Sequence, residues 1–424
     1  MRGSRRRAGV AAALVTAVGL AVFGGTSAAG TRGSEATPSW VPVFQKYVGV
    51  KKVGPASKSL APVTVGWVNA QGGIVQSPES TAAVNAAVTL VNTYLGGVDG
   101  HPLKLSQCFV VQAEQQGQKC AQQFDNDPQI SLVLEGVLPF GATGFHQTNK
   151  GKKPVLGFNP ITSSSATAKN TYEVTAGLFG TDPGEVSYLA GVLHAKTVSL
   201  LYPQDDPAGV TAAKLFQQIA AAAKLKVTAV GFSSTATDLL TPFTAARANS
   251  TDASTVFLVN PSVCQAGAKA TKQLGVKHVV ALALCLDPHV KAGLGDYPQW
   301  TYVNTAVSAN LPQADKYVAA WLKAIGTLVP KNPAVYAPFP QLAFGTLLTA
   351  VKLLDRIGAD KISVASVQRA LKAYRGPSMF GPPNLKWGSV PGLPALGTTA
   401  VRLYTYHGDG KWSDATGGKW VGAK

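Results

Sequence analysis

A chain of 424 residues with 46% hydrophobic and 14% charged residues is too long for one ordinary core and too apolar for disorder over most of its length; two bodies are the expectation. Lysine and arginine number 38 against 21 acids; four arginines fall within the first seven residues, and the remaining 34 bases still exceed the acids by 13. The lysines are scattered singly, without a basic stripe or interleaved aromatics, which argues against nucleic acid and for a basic secreted protein beside an anionic cell surface.

Arg5, Arg6 and Arg7 precede an apolar run at 8–23 and then Ser27, Ala28 and Ala29, the pattern of an export leader cleaved near Ala29. The run is short and broken by glycine for a membrane span, although a retained signal anchor is the alternative. Residues 30–61 hold Pro38, Pro42 and Pro55 among Ser, Thr and Lys, and read as a linker and N-terminal extension without a core of its own.

The run VTVGWV at 63–68 predicts a buried strand, followed by a polar turn at 69–73. Val84, Val88, Val91 and Leu95 recur at helical spacing over 80–95, and Gly96 and Gly97 end that helix. A strand at 103–110, a helix at 113–124 and a strand at 131–134, closing on Glu135 and Gly136, complete a parallel, doubly wound start. A glycine-rich turn at 140–144, a strand at 154–158 and a hydroxyl-rich loop at 159–165 follow. The second half repeats the alternation, with strands at 197–202, 227–232, 255–259, 279–283 and 301–307 and helices at 209–223, 241–248 and 262–274. Helices at 313–325, 340–357 and 363–373 come next. A strand at 401–406 then turns at 407–410 and passes Trp412.

Four cysteines in an exported chain read as disulfides rather than metal ligands. Three pairings exist. Local distance favours Cys108–Cys120 and Cys264–Cys285, with four buried free thiols as the alternative. Enzyme signatures are missing: no G-x-S-x-G elbow, P-loop, G-x-G-x-x-G after a strand, or H-E-x-x-H. His101, His146, His194, His278, His289 and His407 never fall at metal-ligand spacing and read as surface residues. Asp182 and the adjacent Asp205 and Asp206 could be read as acid/base groups, but Asp206 reads better as the cap of the helix that follows it.

The order of these pieces, the segment NTYLGGVDGHPLKL at 92–105 and the two cysteines flanking the second strand–helix turn resemble the type I solute-binding proteins of the leucine/isoleucine/valine-binding kind. The resemblance covers residues 62–412. It implies an α/β fold of two doubly wound parallel-sheet lobes joined by a three-strand hinge. Lobe 1 is then 62–180 with 308–395, and lobe 2 is 181–307 with 396–424. Crossings fall near Thr181, Val307 and Leu396, a hinge that can close on a ligand. A bridge like Cys108–Cys120 is common in that family. The lipid-modified cysteine that many members carry after the leader is absent, since no cysteine precedes Cys108.

In the resembled family an amino-acid ligand's carboxylate is held in lobe 1 by hydroxyls and backbone N–H groups of the loops after the third and fourth strands. Those positions here span Glu135, Val137, Leu138 and Phe140, then Asn159, Thr162 and Ser163; only Thr162 and Ser163 supply hydroxyls. The ammonium is met in lobe 2 by an acid after the 255–259 strand, where this chain reads NPSVCQ from Asn260 and has none; Asp287 could substitute. An ammonium buried without a counter-charge is costly. A neutral, amide-like, aromatic or carboxylate-bearing solute therefore fits Asn69, Gln71, Phe140, Asn159 and Asn260 at least as well as a free amino acid, with Asp182 and Asp206 as further polar contacts. Each of these also has the plain reading of a turn residue satisfying its own backbone. The resemblance implies an exported, monomeric, non-enzymatic protein that delivers a small ligand to an ABC permease without a cofactor. An extracellular sensor of the same fold and a secreted α/β enzyme are the alternatives.

Overall fold

The computed structural model describes residues 37–422 apart from residues 52, 74, 258 and 259. The expected leader at 1–29 and the start of the extension lie outside the described residues. The described part of the extension differs from expectation. Trp40 leads into helix α1 (Val41–Val48), which buries Val41, Phe44, Tyr47 and Val48 at i, i+3, i+4 spacing. The Phe44 ring packs on Phe344 with centroids 5.5 Å apart, and the Tyr47 hydroxyl shares a 2.8 Å hydrogen bond with Thr349. Pro42, which suggested a linker, occupies the first helical turn, where no N–H partner is needed. The segment belongs to the first core.

The first sheet is built from β1 (Val63–Ala70), α2 (Pro78–Tyr94), β2 (Leu103–Val110), α3 (Glu114–Asn126), β3 (Ile130–Glu135), α4 (Ala142–Asn149), β4 (Val155–Gly157), α5 (Ser163–Thr167) and β5 (Thr171–Glu173). Its strands are all parallel, in the order β2-β1-β3-β4-β5. Successive residues of β1 face opposite sides, so Val65 and Trp67 enter one cluster while Val68 enters another with Phe124 and Phe145. Glycine permits the tightest helix contact: a Cβ at Gly117 of α3 would strike the Gly141 carbonyl, and one at Gly144 of α4 would strike the Glu114 carbonyl.

Helix α6 (Gly177–Gly191) leads into β6 (Thr197–Pro203), α7 (Pro207–Ala222), β7 (Lys226–Phe232), α8 (Leu240–Ala245), β8 (Ala253–Val256), α9 (Pro261–Leu274), β9 (Val279–Leu282), α10 (Pro288–Leu294) and β10 (Thr301–Asn304). The helices α11 (Lys316–Leu328), α12 (Pro338–Ile357) and α13 (Val364–Ala373) then supply Trp321, Phe344, Leu347 and Leu371 to the core of the first sheet. The hairpin β11 (Arg402–Tyr406) and β12 (Trp412–Asp414) joins the second sheet antiparallel, giving β12-β11-β10-β9-β8-β6-β7. The parallel part, β7-β6-β8-β9-β10, repeats the order of the first sheet. The chain passes between the two bodies three times. Helix α6 makes one passage. A second falls between Val303 and Ala306, which lie in different cores, and a third between Leu396, bridged to Glu173, and Val401.

The disulfides are Cys108–Cys120, tying β2 to α3, and Cys264–Cys285, tying α9 to the turn after β9; no cysteine is free. No helix among the described residues is long and apolar enough to cross a membrane.

Candidate functional site

In a sheet of this order, helices on opposite faces leave a crevice at the carboxyl ends of the strands, here beside β1/β3 and β6/β8. In the first sheet that end divides into groups already spent on the fold and groups left free. Asn69 is fully buried: its amide donates to the Ser77 carbonyl at 2.7 Å and the Thr81 hydroxyl at 3.1 Å, and its oxygen accepts the Val137 N–H at 3.0 Å. It clips two loops together and retains nothing for a ligand. The side chains of Val137 and Leu138 are in the core, so only backbone atoms there face outward. The Leu138 and Phe140 N–H groups, on either side of Pro139, have no hydrogen-bond partner among the described residues. Phe140 is 37% exposed, the half-buried Asn159 amide is unbonded, and the buried Oε1 of Gln71 has no partner.

Thr162 caps α5, its hydroxyl accepting the Ser165 N–H at 3.2 Å, while Ser163 is exposed. Hydroxyls continue inward from there. Thr143 bonds Ser164 at 2.9 Å, Ser164 bonds Thr162 at 3.0 Å, Thr162 bonds Ser165 at 3.2 Å, and Ser165 donates to Glu135 at 2.9 Å. The other Glu135 oxygen lies 2.9 Å from Nε2 of His146, which is buried against it rather than on the surface as expected. Strand register sets Glu135, Gly157 and Glu173 in one row across β3, β4 and β5. Gly157 has no side chain, and the Glu173 carboxylate fills the gap above it; a Cβ there would collide with both oxygens. Neither Glu173 oxygen has a partner, and burial, reinforced by the charge of Glu135, pushes its pKa well above the usual range.

On the second body the acids sit on α6. Gly177 abuts Pro160 of the first sheet's loop, so α6 starts at the junction of the bodies. Asp182 is 3% exposed and its carboxylate makes no hydrogen bond among the described residues; burial pushes its pKa up to about 7. Glu185, one turn on, is buried and accepts the Thr255 hydroxyl at the carboxyl end of β8. Burial raises it to about 8, against the lowering effect of that hydroxyl and with a further push from Asp182.

The remaining expected residues hold loops. Asn260 caps α9 by accepting the Val263 N–H at 3.0 Å and donates to the Ser234 carbonyl at 3.0 Å. Asp287 caps α10 through the His289 N–H and lies 2.7 Å from the His289 ring, so it is occupied rather than waiting for an ammonium. Asp206 directly precedes α7. Asp205 binds the Ser233 hydroxyl and the Ser234 N–H and hydroxyl.

Glu173 and Glu185 are the polar residues that sequence reasoning missed, and His146 is one it placed on the surface. Neither Glu173, in the segment NTYEVT, nor Glu185, in TDPGEVS, stands in an apolar run that would have announced its burial. Among the described residues no group of three or more histidines, cysteines and acids could hold a metal ion.

The model of the family described as periplasmic binding protein matches residues 62–389. No curated protein sequence matches the chain. Among solved structures, a leucine-binding protein from Thermotoga maritima superposes with a TM-score of 0.62 at 12% identity, covering 84% of this chain and 97% of its own. A branched-chain amino acid transporter substrate-binding protein from Streptococcus pneumoniae, in complex with isoleucine, gives 0.64 at 14%, covering 85% and 100%. A solute-binding protein of an ABC transporter from R. palustris, in complex with 4-hydroxybenzoate, gives 0.62 at 14%, covering 85% and 96%.

Proposed function

Because the chain belongs to the periplasmic binding protein family, we propose that it captures a small solute where the carboxyl ends of its two sheets meet and delivers it to an ABC importer, catalysing nothing. The proposed ligand is a carboxylate on an apolar body with a neutral polar group at its far end. The observation that carries this is the exposure of large apolar side chains at those strand ends. Phe140 after β3, Leu178 on α6 and Leu284 after β9 are 37%, 40% and 44% exposed, in both bodies and the crossing helix. Covering such surface contributes about 25 cal/mol per Å².

The carboxylate is assigned to the free N–H groups of Leu138 and Phe140, with the unbonded Asn159 amide and the exposed Ser163 hydroxyl after the neighbouring strand β4 as further donors. Asp182 takes the far end. With its pKa raised to about 7 it is protonated in mildly acidic solution and donates a hydrogen bond to a hydroxyl or carbonyl. An ammonium needs the ionised form, which burial disfavours. Isoleucine and 4-hydroxybenzoate, the ligands of two proteins of this fold, share the carboxylate and apolar body, and only the second ends in a neutral hydroxyl.

Calorimetric titration at pH 6 tests the reading. 4-Hydroxybenzoate is expected to bind at least about tenfold more tightly than isoleucine, a difference of about 1.4 kcal/mol. The double variant Asn159→Ala/Ser163→Ala is expected to weaken it about tenfold. Tighter binding of isoleucine would overturn the role given to Asp182, and silence from every apolar carboxylate would overturn the ligand class. Export with removal of residues 1–29 belongs to the same proposal, and the intact mass of secreted protein checks it.

A further inference from the structure

At the amino ends of the first sheet's strands, away from the crevice, lies a cavity of about 520 Å³. We propose that it is a second binding site, and that it takes a phosphoryl group. Lys150, Lys169 and Lys372 reach it from three places: the end of α4, the connection from α5 to β5, and the last turn of α13. No acid lines it. None of the three ammonium groups has an ion-pair partner among the described residues, whereas Lys152 close by pairs with Asp125 at 3.3 Å. Three like charges around one concavity repel each other, and a multivalent anion relieves that repulsion.

The floor is fixed while the rim is cationic. Asn170 is held in the left-handed region, φ 56°, with its amide donating to the Gly151 carbonyl at 3.0 Å and its oxygen accepting the Tyr172 hydroxyl at 3.1 Å. Trp387 packs edge-on against Tyr172, centroids 5.3 Å apart, and donates its indole N–H to the Glu173 carbonyl at 2.8 Å. A preformed floor lowers the ordering cost of binding. Lysine supplies point charges suited to phosphate oxygens without demanding the planar fit of arginine. The volume falls within the range of small-molecule pockets, so an organic phosphate or a diphosphate fits the room better than a single inorganic ion.

Isothermal titration with pyrophosphate at fixed ionic strength is the test. The double reversal Lys169→Glu/Lys372→Glu is expected to weaken binding at least about tenfold, and Lys214→Glu/Lys226→Glu, an equal charge change on the second body, to leave it within about twofold. A melting curve for each variant separates loss of binding from loss of fold, the substituted lysines all being exposed. Flotation with phosphatidylglycerol or phosphatidylcholine vesicles separates sources of the phosphoryl group. Selective, Lys169/Lys372-dependent binding to the anionic vesicles assigns it to a lipid headgroup, and pyrophosphate binding alone assigns it to a soluble phosphate. Failure of pyrophosphate to bind, or equal weakening by the two double variants, overturns the site.

Discussion

Replacing Glu185 by glutamine is expected to stabilise the protein at neutral pH. The carboxylate is buried on α6, receives one hydroxyl from Thr255 and has Asp182 one turn away, so its charged form has lost water and gained little. Its pKa rises from 4.5 unfolded to about 8 folded. A raised folded value means that the group's contribution is fully present below pH 4.5 and is lost as pH climbs toward 8. At pH 7 the folded side chain is still largely protonated while the unfolded one is ionised. The proton uptake on folding costs about 3.5 kcal/mol, from roughly 1.4 kcal/mol for each of about 2.5 units. Glutamine is neutral in both states and keeps an oxygen for the Thr255 hydroxyl, so Glu185→Gln removes that cost. For a chain of this size the gain is a Tm higher by about 4 °C. Calorimetry at pH 7 and pH 4.5 is the assay, and the gain is expected to vanish at the lower pH. A variant less stable than the parent at pH 7 would show Glu185 ionised and held by a cationic partner, and the reasoning would be refuted.

Thr162→Ala is expected to lower the unliganded stability by about 1 kcal/mol, the usual cost of a lost helix cap, while Ser163→Ala leaves the unliganded melt unchanged; equal melts for the two variants would show that the hydroxyl row from Thr143 to Glu135 carries no stability. Phe44→Ala is expected to cost about 3–5 kcal/mol in urea unfolding, the value for a core aromatic, and a loss under 1 kcal/mol would show that α1 is an appendage.

The layout was legible because it rests on periodicity. The β-branched run of β1, the helical spacing of Val84, Val88 and Val91 in α2, and the glycines after that helix report burial along one local element, and no distant contact is needed to read them. The disulfides were legible for a related reason: sequence distance separated one pairing from the others, and both bridges join neighbouring elements. Helix α1 was misread because Pro38, Pro42 and Pro55 outweighed the five buried residues Trp40, Val41, Phe44, Tyr47 and Val48. Proline at a helix start and proline in a linker look alike until the partner surface, here Phe344 and Thr349 some 300 residues away, is known.

Side-chain roles at the strand ends were illegible for a different reason. A polar residue after a strand either faces solvent or turns back to satisfy a loop, and composition does not separate the two. Asn69, Asn260 and Asp287 turned back. Glu135 did so most completely, facing Ser165 and His146 inside the body, with Glu173 across Gly157. No local pattern announces that row, because it exists only once β3, β4 and β5 are in register. With Glu135 and Glu173 turned into the first body, Asp182 is the buried carboxyl without a side-chain hydrogen bond on the crossing helix α6. In the proposed reading, the ligand meets a protonated acid there in mildly acidic solution, which favours a neutral oxygen over an ammonium at that end.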